Sequence, residues 1–390
     1  MVLRPPKRSK KAGAGAGVLD VRSLNRALLA RQQLLARQPL APSEAIERLV
    51  GLQAQAPAAP YVGLWTRLRD FRPETLSELL VQRRAVRIAL MRGTVHLVTA
   101  RDALTLRPLV QPIFDRDLRV NSTYASGLAG LDLAALARTA RALVDARPRT
   151  MTELRASLHE RWPDRDAASL AYGARGLLPL VQVPPRGLWG LGGLPTLTTA
   201  EAWLGRPLAP RPSIGGMVRR YLAAFGPASV MDVQAWSGLT RLGPAVERLR
   251  PSLRSFRDER GVELFDLPDA PRPDYDTPAP PRFLPEYDNL FVAHADRSRV
   301  VAEPDRGRLI LDGRQIVGTV LVDGFARGTW KIRRTGGRAV LEVAPFRRMT
   351  AGEAAAVGQE AERLLEFTDA GVAAREVRIG AVSSRAARRR

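Results

Sequence analysis

Val86-Arg87-Ile88-Ala89-Leu90-Met91-Arg92-Gly93-Thr94-Val95-His96-Leu97-Val98-Thr99 decides how this chain is built. Val86, Ile88 and Leu90 recur at every second position, and so do Val95, Leu97 and Thr99 after a break at Arg92-Gly93. A period of two is the strand period, so the stretch predicts a β-hairpin. Upstream the apolar residues recur at helical spacing. Residues 19–37 predict a first helix, with Leu24, Leu28 and Leu35 on one side. A second starts at Pro42-Ser43-Glu44, with Ser43 as N-cap, and ends near Ala56 before Pro57. A third passes through Tyr61, Leu64, Trp65 and Leu68, and a fourth runs from Pro73 to near Arg84. Helices followed by a small hairpin give the order of a winged helix, with the hairpin as its wing.

The same order recurs twice. Helices over 133–146, 152–161 and 166–176 precede a second wing, read as 180–183 pairing with 187–190 across Pro184-Pro185-Arg186. Helices over 214–225, 229–236 and 243–250 precede strands near 253–257 and 262–266. A Pro- and Asp-rich stretch then leads into a β-meander, with turns at Asp312-Gly313, Asp323-Gly324 and Gly336-Gly337, and an amphipathic helix over 350–368. The expected organisation is a basic flexible tail (1–17), winged-helix units over 18–130, 131–212 and 213–270, and a linker (271–282). A C-terminal meander and helix (283–372) and a second basic tail (373–390) complete it. The fold class is α+β: mainly α, with small β-hairpins and a C-terminal β-meander.

The chain has 390 residues, room for two or three domains, and 45% of them are hydrophobic, which supports a real core. Lys plus Arg number 61 against 39 Asp plus Glu, a net charge of +22 that is mostly arginine. Arginine matches phosphate in a bidentate way, so a polyanion, most simply a nucleic acid, is the leading partner class. GC-rich coding, which favours Arg, Ala, Gly and Pro, offers a second source for the same excess. There are no cysteines, which removes disulfides, thiolate metal sites and thiol nucleophiles. The three histidines, His96, His159 and His294, lack ligand spacing, so no metal and no cofactor is expected. No apolar run spans a membrane and no secretory leader is visible at the start, so a cytoplasmic protein is expected; a monomer and association with the nucleoid are further expectations.

Three stretches carry candidate chemistry. Gly51-Leu52-Gln53-Ala54-Gln55-Ala56-Pro57 places two glutamines one residue apart. On a helix such residues do not share a face, so Gln53 and Gln55 converge on a ligand only if the last turn unwinds. On the strand Thr329-Trp330-Lys331-Ile332-Arg333-Arg334, Trp330 and Ile332 face one way and Lys331 and Arg333 the other. Trp330, Lys331, Arg333 and Arg334 are read as DNA contacts of a basic hairpin, with an ordinary half-buried strand as the alternative. Arg92 and His96 on the first wing are read the same way, with a structural hydrogen-bonding role as the alternative for His96. Glu286 and Asp288 are paired carboxylates that could serve a hydrolase, cap turns or pair with Arg297. No Ser/His/Asp set, phosphate-binding glycine loop or dinucleotide fingerprint is present.

Four segments together resemble the AlkZ/AlkX (YcaQ) family of tandem winged-helix DNA glycosylases. They are Gly51 to Pro57, Met91-Arg92-Gly93-Thr94-Val95-His96-Leu97-Val98-Thr99-Ala100, Phe283-Leu284-Pro285-Glu286-Tyr287-Asp288-Asn289-Leu290 and His294-Ala295-Asp296-Arg297. They occur in family order, and the resemblance covers about residues 19–372. It implies three winged helices in a concave, C-shaped body and excision of bulky N7- or N3-alkylated purines, with double-stranded DNA carrying them as the partner. Some members unhook interstrand crosslinks, and several give antibiotic producers self-resistance to a DNA-alkylating natural product. The family's catalytic motif falls on Gln53, Ala54 and Gln55, and a glutamine at the last position resembles the AlkZ branch, where the AlkX branch has Asp. Amides suffice for such chemistry. N7-alkylation makes the base a good leaving group, and an amide can orient water and steady the sugar cation. Monofunctional hydrolysis without a cofactor is the expected reaction. A winged-helix transcription regulator without chemistry and a protein that sequesters the alkylating drug are the competing readings.

Overall fold

A computed structural model describes residues 17–311 and 315–382. The first round of helices is Val21–Arg31, Pro42–Arg48, Ala59–Trp65 and Pro73–Val81, closed by the strands Ala85–Ala89 and Val95–Thr99. The first helix is shorter than 19–37 because Gln33 takes a left-handed φ of 59° and turns the chain. Ser43 is not the cap of the second. Ala41 precedes Pro42, whose fixed φ starts the helix at its first position without a side-chain cap.

That second helix also ends early, at Arg48, and the glutamine pair is not on it. Val50 and Gly51 both adopt left-handed φ, 54° and 89°, which unwinds the chain. A Cβ on Gly51 would lie 2.6 Å from Val98 Cγ1 and 3.0 Å from the Leu97 carbonyl oxygen, so only glycine permits this approach. Freed from the helix, Leu52–Gln53 becomes a short strand paired antiparallel with the wing, Leu52 opposite Leu97 and Gln53 opposite His96.

The second round, Leu133–Ala146, Met151–Arg161 and Ala167–Leu177, is well capped. Asp132 and Asp166 accept backbone N–H groups, and Thr150 with Glu153 forms a capping box. Its wing differs from expectation. Leu180–Val183 pairs with Thr196–Thr199, and residues 187–190 form no strand. Trp189 instead packs its ring 4.9 Å from Tyr61 and 5.3 Å from Phe367, so its apolar surface is used in a side-chain cluster. Ala85–Ala89 also pairs with Leu180–Val183, and both wings merge into one six-stranded sheet.

The third round, Ile214–Phe225, Val230–Ser237 and Gly243–Leu249, ends in the hairpin Arg254–Asp258 and Glu263–Asp266, beside which Val18–Leu19 lies parallel. A five-stranded sheet follows, built from Arg282–Leu284, Thr319–Val322, Phe325–Thr335, Arg338–Pro345 and Ala374–Ile379. The last strand falls within the stretch read as a basic tail. It runs parallel to Arg338–Pro345, and Val377 and Ile379 pack against the core. The helix Ala351–Thr368 buries Val357, Ala361, Leu364 and Leu365 in the same cluster. The Asp312-Gly313 turn and the tails over 1–16 and 383–390 lie outside the described residues. Leu28, Val86, Val181, Trp236, Leu284 and Phe291 belong to one core, so all three rounds and the C-terminal part share it. Among the described residues, no helix is long and apolar enough to cross a membrane.

Candidate active site

Because Leu52–Gln53 is extended, Gln53 and Gln55 can meet, as they could not on a helix. Gln53 Nε2 lies 2.5 Å from Gln55 Oε1. Arg92 fixes the sense of this contact. A guanidinium can only donate, and its Nη2 lies 2.8 Å from Gln53 Oε1. Gln53 therefore turns its carbonyl to Arg92 and its amide hydrogens to Gln55. The chain of donation runs Arg92 to Gln53 to Gln55, from a buried amide to an exposed one. Among the described residues, Gln53 keeps one N–H free. Gln55, among the same residues, keeps its whole NH2 group and a second lone pair on its carbonyl.

Three groups hold this arrangement. Arg92 itself has a left-handed φ of 56° and donates from Nη1 to the Trp236 carbonyl. That carbonyl belongs to the last turn of Val230–Ser237, the negative end of a helix dipole. Gly238 follows it, and a Cβ there would come within 3.0 Å of Arg92 Cα. Asn289 donates to the Gly51 carbonyl at 2.7 Å. Finally, Asp288 forms a fully buried bidentate pair with Arg67 at 2.9 Å. Asp288 also accepts the Leu290 backbone N–H, so it is the turn cap and ion-pair member that Pro285-Glu286-Tyr287-Asp288 contains, with Arg67 and not Arg297 as partner. Breaking a buried pair of this kind costs about 3–5 kcal/mol. Gln32, Gln53, Arg67, Asp288 and Asn289 line a small cavity behind the motif. Glu286 is half-buried, and burial raises its pKa.

His96 is completely buried, so it presents no surface to DNA. Its Nδ1 is 2.9 Å from the Thr94 carbonyl and must donate to it, which leaves Nε2 unprotonated and without a partner among the described residues. Burial, then the charge of Arg92, pushes its pKa down to about 3. It is a neutral, structural imidazole. Arg92 also faces inward and supports Gln53. Burial, then the Arg297 charge, lowers its pKa to about 10.

Arg67 at the motif is answered by Asp288, but other arginines around it have no carboxylate partner among the described residues. Arg87, across the sheet, donates to the Ala54 carbonyl at 2.8 Å and to Gln182 Oε1 at 3.2 Å. Burial, then Arg186, lowers its pKa to about 10. Arg186 donates to the Gly193 carbonyl at 2.7 Å. Among the described residues, Arg87, Arg92, Arg186 and Arg297 form no ion pair. Arginines elsewhere do: Arg31 with Asp266, Arg220 with Asp102 and Arg26 with Asp323. The period-two wing showed Arg87 only as one member of an alternating strand. Its burial comes from the second wing packing alongside.

The basic hairpin is as the alternation predicted, with a different division of labour. Trp330 turns inward, donating from Nε1 to the Leu284 carbonyl at 2.8 Å with its ring 5.9 Å from Phe283. Lys331 and Arg333 are exposed and share Glu342, at 3.2 and 3.1 Å. Arg334 is exposed and pairs with Asp369 at 2.6 Å.

The AlkZ-like DNA glycosylase family profile matches residues 46–367. Among solved structures, the DNA glycosylase AlkZ of Streptomyces sahachiroi has a similar fold. The TM-score is 0.74 at 21% sequence identity, over 93% of this chain and 100% of that one. No curated protein sequence matches the chain. On the extent of the family match, the chain belongs to the AlkZ-like DNA glycosylases.

Proposed function

We propose that the protein hydrolyses the N-glycosidic bond of bulky N7- or N3-alkylated purines in double-stranded DNA, as a monofunctional glycosylase without metal or cofactor. Gln55 is the group offered to substrate, and Gln53 and Arg92 hold it. The observation that supports this most is the one-way hydrogen-bond chain that ends on exposed Gln55 amid unpaired arginines.

The chemistry follows from what the set lacks. Gln53 and Gln55 do not titrate, Arg92 does not give up its proton near neutrality, and His96 is neutral. None can protonate a leaving base. A neutral purine would need that help, whereas an N7- or N3-alkylated purine already carries positive charge and leaves neutral. Gln55 then has to place water below the sugar and meet the developing cation with its carbonyl dipole. The surrounding arginines disfavour a bare cation, and DNA phosphates are the anions that restore the balance. Crosslinks made through the same purine nitrogens fall within this chemistry, and self-resistance to a DNA-alkylating natural product is the physiological setting it suits. Lys331, Arg333 and Arg334 are proposed as outer duplex contacts, and the acting species as a monomer on nucleoid DNA.

The test is a panel of duplexes carrying N7-methylguanine, N3-methyladenine, a bulky N7-alkylguanine and an N7-linked crosslink. Heat or alkali cleavage then reports abasic sites. Excision of at least one bulky adduct, with unmodified guanine untouched, is the expected result. Tight DNA binding with no abasic site from any of them would instead make the protein a non-catalytic binder.

A further inference from the structure

We infer that Arg297 is the phosphate-binding residue of this site, taking the phosphodiester beside the nucleotide presented to Gln55. This rests on the glycosylase reading above. The Arg297 guanidinium is half-buried and donates no hydrogen bond among the described residues. Its Nε is completely buried and unpartnered. The carboxylate nearest in sequence is engaged elsewhere: Asp296 accepts from Arg260 at 2.6 Å and from the Ser298 hydroxyl at 2.7 Å. Arg299, two residues on, is buried too but donates to the Pro227 carbonyl at 2.8 Å. Arg297 is thus a half-buried cation whose Nε is shut off from water and whose five donors have no acceptor among the described residues.

The backbone beneath it is fixed, because the Arg297 carbonyl accepts the N–H groups of Val300 and Val301 at 2.9 and 3.0 Å. The segment is tied to the helix Val230–Ser237, where Asp232 accepts the Ala295 N–H at 2.9 Å, and the last turn of that helix accepts from Arg92, which holds Gln53 and whose pKa the Arg297 charge lowers. Arg306, whose charge also acts on Arg297, already has Glu303 at 2.6 Å. An unpaired guanidinium in a partly dry site under the field of other arginines is costly, and an anion from outside relieves it. The fork of a guanidinium fits two phosphate oxygens. A phosphodiester held there lies on the Arg92 side of the motif, where it orders the strand whose sugar Gln55 must meet.

The test uses the full-length protein and a duplex with a tetrahydrofuran abasic analogue, which cannot be cleaved. Affinity is measured with each phosphate near the analogue replaced in turn by a neutral methylphosphonate. One replacement should weaken wild-type binding about tenfold, the usual scale of a charge-assisted contact. Arg297→Ala should weaken binding to the all-phosphate duplex by a similar factor and be indifferent to that same replacement. Arg297→Lys should recover part of the loss. Thermal stability of both variants should equal or exceed wild type, since an unpaired, half-buried charge is removed or made more flexible. Wild-type affinity in Arg297→Ala, or losses that multiply at every phosphate, overturns the inference and leaves the glycosylase reading standing. A larger thermal shift of wild type than of Arg297→Ala in inorganic phosphate, with equal DNA affinity, would assign the site to free phosphate and also overturn it. Failure of the wild type to bind DNA at all removes both.

Discussion

Arg92 carries more of the site than its place on a wing suggests. It is a donor only, it sits at a helix C-terminus, and it alone sets which way the Gln53 amide faces. Replacing it with leucine frees Gln53 to flip and Gln55 to wander. Misplacing a reacting group by about an ångström costs roughly 10²-fold. Arg92→Leu should therefore slow single-turnover excision by about that factor, while binding to undamaged duplex stays near wild type. His96 gives a prediction of another kind. Its pKa is about 3 in the folded protein against 6.5 for the free side chain, so the unfolded chain binds protons more readily. Its stabilisation is whole above pH 6.5 and drains away as pH falls towards 3. At pH 5 the loss from His96 alone is roughly 2 kcal/mol. Urea denaturation at pH 7 and pH 5 should show it, and His96→Asn should show a smaller drop. The excision rate itself should be flat between pH 6 and about 8.5, because His96 and Arg92 titrate outside that window.

The glutamine strand depends on a turn that only glycine can make. Gly51→Ala forces a Cβ against Val98 and the Leu97 carbonyl at a left-handed φ. Overpacking of this kind costs about 1–3 kcal/mol. Gly51→Ala should be destabilised by that much in urea and lose excision as well, since the strand carries Gln53. The first wing was legible because its alternation is long and both of its strands bury one face. The glutamine strand was not, because two residues show no period and the signal that made them a strand lay in Val50 and Gly51. The second wing was misread for a related reason. Leu188 and Trp189 look like strand residues, but they meet Tyr61 and Phe367 and not a neighbouring strand. The later part of the meander was plain from its turns at Asp323-Gly324 and Gly336-Gly337. The parallel strand Ala374–Ile379 was hidden by the charged residues between its apolar ones.

Across the whole molecule, the net charge of +22 overstates what is free to meet DNA, because many arginines are spent on internal carboxylates. Lys331 and Arg333 illustrate this, since Glu342 already neutralises one of the pair. Affinity for undamaged duplex should still fall steeply with salt. Changing Lys331 and Arg333 to alanine together should reduce the log–log slope by about 0.9, the value for one phosphate, and not by twice that. Anisotropy titrations from low to physiological salt measure it, and an unchanged slope would remove the hairpin from the interface. The shared core explains why the site was only half legible. Gln53 and Gln55 were visible as a motif, but Arg92, Asn289 and the Arg67–Asp288 clamp meet them from remote parts of the chain.

The central claim is that Gln55, held by Gln53 and Arg92, performs the excision, and single-turnover kinetics test it most directly. Wild type, Gln53→Ala, Gln55→Ala and Gln55→Asp are compared at saturating enzyme on one bulky N7-alkylguanine duplex that wild type processes. Gln53→Ala strands a buried Arg92, so it should also lose about 1–3 kcal/mol of stability, and each rate is read well below its melting point. Both alanine variants should be slower by roughly 10²–10³. Gln55→Asp, which can still accept the Gln53 amide and orient water, should lie between them and wild type. Wild-type rates in both alanine variants would contradict the account and leave the glutamines as a structural link between sheet and helix.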